Sequence, residues 1–313
     1  MLRRILLASA GAMALTGAAL AADLSLPAPP PVYTWTGIYA GIDAGYTWSS
    51  NSVATSAINT QFCGAGCTGA GVASIIASAL RASASGATAT VPANFEGFIG
   101  GGQIGYNYQF DNSWNSWLIG LEADIQGVAG NNNGATLVNV TTLTGLPLAD
   151  HSIGTTFSVS RRLDYLGTLR GRLGFLLTPT LLVYGTGGLA WGGVTSSTSI
   201  NQVFNGLIPS RIESAWGTAG NFSTTRVGWT AGGGIEWLFA PNWSVKAEYL
   251  YYDLGNVSYS AGALVDGFTV PIPGEIALFT NAVQSTTRFN GNIVRAGLNY
   301  HFNWGGAPIV AKY

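Results

Sequence analysis

Eight stretches of this sequence alternate apolar and polar residues with a period of two, and the connections between them are alternately short and long. Successive side chains of a strand point to opposite faces, so the pattern predicts strands with one apolar and one polar face. The stretches cover residues 36–49, 95–110, 117–127, 162–177, 181–193, 225–239, 243–251 and 292–302. Each has roughly the ten residues that a tilted strand needs to cross a bilayer. Connections 111–116, 178–180 and 240–242 are short turns rich in Asp, Asn, Pro and Ser, whereas 50–94, 128–157, 194–224 and 253–291 are long. Short periplasmic turns and long external loops are the topology of an outer-membrane barrel. The expected fold is therefore all-β: an eight-stranded antiparallel transmembrane up-and-down β-barrel. The long loops leave room for two more strands, near 137–143 or 268–272, which would make ten.

Composition excludes the other classes. Only 9% of the 313 residues are charged, against roughly 25% in a soluble domain. No run of about 20 apolar residues follows the first 20 positions, so spanning helices are excluded. The apolar content of 47% is too high for disorder. No basic cluster larger than Arg161-Arg162 occurs beyond the N-terminus, so nucleic acid is not an expected partner. A lipocalin-like soluble barrel would place its apolar side inward, and the length of the strands argues against it. Trp35, Trp48, Trp114, Trp117, Trp237, Trp243, Tyr249 and Tyr251 lie near strand ends, as aromatic girdles would.

The ends read as processing and spacer segments. Residues 1–21 carry Arg3 and Arg4, an apolar stretch and Ala19-Leu20-Ala21, the pattern of a secretory signal peptide. Residues 22–35 form a Pro-rich periplasmic linker, 36–302 the barrel and 303–313 a C-terminal periplasmic tail. The only cysteines, Cys63 and Cys67, are expected to form a disulfide in an oxidising compartment. A metal site would need more ligands, and the two His of the chain are remote. A short helix is expected within 72–83, in an Ala/Ser-rich part of the first long loop.

Strand parity assigns the charges. Asp43, Glu122, Asp124, Asp164, Glu236 and Glu248 fall on the polar face with Arg162, Arg170, Arg172, Arg226, Lys246 and Arg295. The expectation is a lumen filled by six acids and six bases, with Glu236 roughly opposite Lys246 and with Glu122 and Asp124 near Arg170 and Arg172. Eight strands enclose an interior that side chains just fill, so a paired plug is favoured over an open channel. Hence the expected function is envelope integrity and surface interaction, with a narrow porin for small solutes as the alternative. An enzyme would need a nucleophile, a base and an orienting acid at one level, and neither His151 nor His301 has a partner that the sequence can place. Gly100 to Gly105 matches a phosphate-loop spacing without the helix that would follow it. No cofactor is expected. Phe204, Trp216, Phe222, Phe268 and Phe279 are read as packing the loops rather than binding a ligand.

Four segments carry a family resemblance: VYTWTGIYAGIDAGYTW at 32–48, RLDYLGTLRGRLGF at 162–175, AEYLYYDLG at 247–255 and IVRAGLNYHF at 293–302. Together they resemble the alphaproteobacterial outer-membrane β-barrel family, the porin-family or outer-membrane immunogenic proteins, which are similar to the transmembrane domain of OmpA. The resemblance covers the barrel strands but not residues 50–94. It implies residence in the cell outer membrane after export through the periplasm, contact with outer-membrane lipid and lipopolysaccharide, and surface-exposed loops open to host or envelope components. It also implies handling by the barrel-assembly machinery, through the terminal aromatic signal of the family. Phe302 matches that signal, with Tyr313 as the other candidate. The oligomeric state is left open by the sequence.

Overall fold

The computed structural model describes residues 34–62, 70–112, 115–131, 134–143, 151–205, 215–269 and 276–302. The expected signal peptide, most of the linker, Cys63, Cys67 and the tail with Tyr313 lie outside them. The strands are β1 (Gly37–Ser49), β2 (Ser52–Phe62), β3 (Ala89–Pro92), β4 (Phe95–Asn112), β5 (Asn115–Asn131), β6 (Ala135–Thr142), β7 (Ser152–Thr178), β8 (Leu181–Asn205), β9 (Ala215–Ala240), β10 (Trp243–Thr269) and β11 (Ile276–Phe302). Among the described residues there is one helix, α1 (Ala70–Gly86), and it contains the expected 72–83 segment.

Eight strands form the ring, in the order β1-β4-β5-β7-β8-β9-β10-β11, and β11 pairs back to β1. All neighbours are antiparallel. Each of the eight alternating stretches supplies one ring strand. Closure leaves no sheet edge in the ring, which is how a β-protein satisfies its backbone in lipid. The outward apolar side chains form a band: Ile42 is 66% exposed, Leu121 62% and Leu173 57%. Trp48, Trp117, Trp237, Trp243 and Tyr249 also point outward, between 36% and 52% exposed. Trp35 does not join them. It is 1% exposed and donates its indole N–H to Pro179 O at 3.1 Å, closing the short-turn end from inside.

Among the described residues the long connections are mostly strand and helix. β7, β10 and β11 each run for 27 residues, more than twice the roughly 9–11 needed to cross lipid. Their outer halves continue as hydrogen-bonded wall beyond the apolar band. There β11 exchanges β1 for β2, pairing Thr287 with Val53 through to Leu278 with Phe62, and β3 extends β2. Among the described residues β6 pairs with the outer end of β7 and with no other strand. The strand expected near 137–143 therefore exists without entering the ring, and the ring stays at eight. Sequence alternation faded here because the outer face meets water rather than lipid. Ser, Thr, Asn and Ala replace the apolar residues, as in Thr195, Ser197, Ser199 and Asn201 of β8.

A single bulge corrects the charge assignment. The β7–β8 register shifts between Leu163 and Tyr165, and one extra residue turns every side chain beyond it to the opposite face. Arg162 and Asp164 therefore lie on the outside as an ion pair at 2.6 Å, with side chains 50% and 38% exposed. Arg161 takes the inward place and is 3% exposed. It donates to Ala93 O at 2.9 Å and Arg288 O at 2.5 Å, and lies 4.7 Å from the Phe289 ring centroid.

Candidate functional site: the charged interior of the barrel

The interior is layered. At the short-turn end, Trp35, Leu118, Leu176, Leu182, Tyr184 and Leu238 make an apolar floor. Above it lies a charged layer from six strands: Asp43 of β1, Glu122 and Asp124 of β5, Arg170 and Arg172 of β7, Glu236 of β9, Lys246 and Glu248 of β10, and Arg295 of β11. Every one of these residues is at most 5% exposed. A second apolar layer follows, with Ile99, Leu166, Leu250, Leu254, Phe289 and Ile293 among its members. A third, around Phe157, Val159, Ile200 and Leu264, underlies α1.

Strand alternation delivers these charges to one level. Glu122 is the register partner of Arg170, and Glu248 that of Arg295. Arg170 uses its whole guanidinium. Its Nη2 bonds Glu122 and Asp124 (2.8 Å to the latter), Nη1 bonds Glu248 at 2.9 Å and Nε bonds Thr168 at 2.9 Å. Arg295 donates through Nε to Glu248 at 2.7 Å and through Nη2 to Asp124 at 3.0 Å, and it reaches Asp43 at 3.4 Å. Arg172 donates to Glu236 at 2.6 Å and to the Tyr39 hydroxyl at 2.6 Å, and stacks 4.0 Å from the Tyr184 ring centroid. Lys246 sits opposite Glu236 in register, but its ammonium crosses to Glu122, at 2.9 and 3.1 Å. Five carboxylates thus meet four basic side chains. Arg162 and Asp164 are outside, and Arg226 stands apart, donating to Asn256 O at 3.1 Å.

Polar groups that sequence reasoning left out complete the layer. Tyr39 donates its hydroxyl proton to Glu122 at 2.6 Å, Gln126 donates to Asp43 at 2.6 Å and Asn299 donates to Glu236 at 2.7 Å. Their signal was parity: Tyr39 and Asp43 share a face of β1, as Asn299 and Arg295 do of β11. His301, 2% exposed, lies with Nε2 2.9 Å from Ser244 Oγ and 3.6 Å from Glu236 Oε1. The grouping differs from a catalytic triad, in which the acid orients the base through its other ring nitrogen. Here Ser244 and Glu236 meet the same nitrogen, and the Ser244 hydroxyl donates to Glu236 at 2.6 Å. His151, for which the sequence placed no partner, is 5% exposed with its ring 5.6 Å from that of Phe204. Gly100 to Gly105 lies inside β4, with no helix behind it.

The outer end is closed by α1. Ser83 donates to Gln202 Oε1 at 2.6 Å, and the Gln202 amide donates to Ser83 O at 2.8 Å and Thr155 Oγ1 at 3.0 Å. Asn281 donates to the Ser83 hydroxyl at 2.9 Å and Trp216 Nε1 to Gln202 Oε1 at 3.0 Å. Phe222 stacks on Tyr259 at 6.2 Å. Gln202 is the hub, and removing it strands several buried groups at about 1–3 kcal/mol each. Gln202→Ala is therefore expected to speed amide hydrogen exchange across residues 78–86 while leaving the urea midpoint of the membrane-level barrel nearly unchanged. Protection of 78–86 equal to that of the parent would contradict the latch.

Residues 7–302 match the model of the outer membrane protein beta-barrel domain. The 31 kDa outer-membrane immunogenic proteins of Brucella melitensis and Brucella suis are each 32% identical over 308 residues, covering 96% of this chain and all of theirs. A 22 kDa outer membrane protein of Rhizobium leguminosarum is 32% identical over 111 residues, covering 33% of this chain and 43% of that one. With these matches the apolar band faces outer-membrane lipid, the short turns are periplasmic and the long walls stand outside the cell. The protein is an integral β-barrel of the cell outer membrane, and the chain belongs to the outer membrane protein beta-barrel domain family.

Proposed function

We propose that this barrel is sealed: it anchors in the outer membrane, contributes to envelope integrity and presents its extended outer walls and α1 for surface interaction, with no enzymatic step and no cofactor. One observation carries the reading. The charged layer is stacked between apolar layers, the floor around Trp35 and Leu118 below and the layer around Leu166 and Phe289 above. A water path needs continuous polar lining, and a selective pore favours an excess of charge of one sign. The layer instead sets five carboxylates against four cationic side chains, each held in ion pairs across the lumen. In this reading residues 1–21 are removed on export, 22–35 remain in the periplasm apart from Trp35, which is in the barrel floor, 303–313 remain there too, Cys63 and Cys67 form a disulfide, and the assembly machinery reads the end of β11 or Tyr313. Phe302, 38% exposed beside Tyr300, is available for that contact. Host or envelope components are the partners for the outer walls.

The test is single-channel recording of the refolded protein in a planar bilayer, with folding confirmed by heat-shifted gel mobility. A silent bilayer is the expected result. Steady, reproducible conductance steps would overturn the reading in favour of a narrow porin.

A further inference from the structure

We propose that the charged layer binds one monovalent metal cation of sodium size, held between β4 and β5 by Asp124 Oδ1 and Gln103 Oε1, with Asp43 of β1 alongside. The charge count of the layer asks for it. Glu236 has a guanidinium of its own, that of Arg172, at 2.6 Å. Asp43, Glu122, Asp124 and Glu248 are left to share Arg170, Lys246 and Arg295. Asp43 is the poorest served: Arg295 reaches it at 3.4 Å, and its nearer partner is the neutral amide of Gln126. One negative charge is therefore left over, on the β1–β5 side of the lumen. An ionised carboxylate enclosed without a counter-charge is strongly destabilised.

Two orphaned oxygens mark the place of the counter-charge. Asp124 stands in register between Gln103 of β4 and Thr168 of β7. All its donors use Oδ2: Thr168 at 2.8 Å, Arg170 at 2.8 Å and Arg295 at 3.0 Å. Thr168 holds that oxygen towards β7, so Oδ1 is turned to the Gln103 side, where it is buried without a hydrogen-bond partner. Gln103 is 5% exposed, and its Oε1 is likewise buried without a partner. A relay fixes the amide this way round. Glu236 accepts, so Asn299 donates its N–H to it at 2.7 Å and presents its own oxygen to the Gln103 N–H at 2.5 Å. Asn299 is on the β11 side of Gln103, which leaves the Gln103 oxygen for the β5 side. Facing residues of a ladder hold their Cβ atoms about 4.5–5.5 Å apart, so the two oxygens converge on one spot.

Two oxygens without hydrogens cannot satisfy each other, and carboxylate and amide oxygens are the ligands that hard cations take. A water molecule would meet their need for a donor but would leave the spare charge. A single positive charge meets both. Arg170 and Arg295 already stand on the far oxygen of Asp124, so charge beyond that one would be repelled. Among the described residues no group of three or more His, Cys, Asp or Glu converges as a divalent centre would need. Asp43 adds the second carboxylate to the field of the site. Its register partner on β4 is Gly101, two residues from Gln103 on the same face, and Gly101 has no side chain to stand between Asp43 and the spot.

The experiment is urea unfolding of the refolded protein in detergent, with sodium chloride progressively replacing tetramethylammonium chloride at constant ionic strength. The bulky organic cation cannot enter the spot, and the two salts screen surface charges alike. A ligand that binds only the folded state stabilises it by mass action, so each tenfold rise in sodium above its dissociation constant is expected to raise the folding equilibrium constant about tenfold. Gln103→Leu and Asp124→Asn are each expected to abolish that dependence. Gln103→Leu leaves every ion pair of the layer in place, so it reports on the site even where Asp124→Asn fails to fold. Equal midpoints in the two salts would overturn the site, by showing that water alone satisfies the two oxygens. A sodium dependence retained in either variant would overturn it too, by placing the ion elsewhere. The inference rests on the enclosed interior of the sealed barrel, but the readouts are separate. Conductance steps with the sodium dependence intact would overturn the seal alone, and a silent bilayer without that dependence would overturn the site alone.

Discussion

Replacing Arg170 with Ala is expected to lower the stability of the refolded barrel by about 3–5 kcal/mol, read as a shift of the urea midpoint in lipid or detergent. The cost comes less from lost attraction than from what is left behind. Glu122, Asp124 and Glu248 each lose a donor while fully enclosed. A buried ion pair has already offset its desolvation against its geometry, so removal of one partner leaves the other carboxylates uncompensated. Arg162→Ala is the control. Its pair with Asp164 is half exposed, and surface pairs contribute about 0–1 kcal/mol. Equal midpoints for the two variants would refute the inward placement of Arg170 and the outward placement of Arg162.

Trp35→Ala carries the second large effect, about 3–5 kcal/mol from the cavity left by a buried aromatic. Trp35 is the largest side chain of the floor, with its edge against the His301 ring at 5.6 Å and its indole N–H on Pro179 O. Without it, water reaches His301 and Glu236 from the periplasmic side. The variant is expected to unfold at lower urea and to quench more readily with acrylamide at the remaining buried aromatics. A midpoint within about 0.5 kcal/mol of the parent, the range of ordinary surface substitutions, would mean that Trp35 lies outside the floor, as its place in the expected linker implied.

The ring was legible because lipid enforces a strict code. Every second residue between Tyr165 and Leu177, or between Val294 and Phe302, must be apolar or small where it meets acyl chains. The same code fixed Glu122, Arg170, Glu248 and Arg295 to the interior without any knowledge of partners. It failed at Asp164, where a single inserted residue exchanged the roles of Arg161 and Arg162, and nothing in the run of residues 160–166 marks the extra one. It also failed beyond the membrane, where β8 reads SSTSINQ at 196–202 and Ile200 is the one apolar residue among polar ones on both faces. The choice of partners across the lumen was illegible for a different reason. Lys246 is opposite Glu236 on the sheet yet bonds Glu122 from the far wall, because long side chains in a narrow ring reach across it as easily as along it.

The pairing of β1 with β11 sets a timetable. Ile38 lies beside Phe302, so the ring cannot close until its last strand exists, and contacts of such long sequence separation are slow to form. Until then β1 and β11 each present an open row of backbone donors and acceptors, the kind of edge on which unfolded chains aggregate. The charged layer needs the same closure, since Asp43 of β1 meets Arg295 of β11 only across that seam. Neutralisation of the interior and burial of its charges are thus completed in the final step of assembly, and a chain stalled before it would hold unpaired charges at the depth of the bilayer.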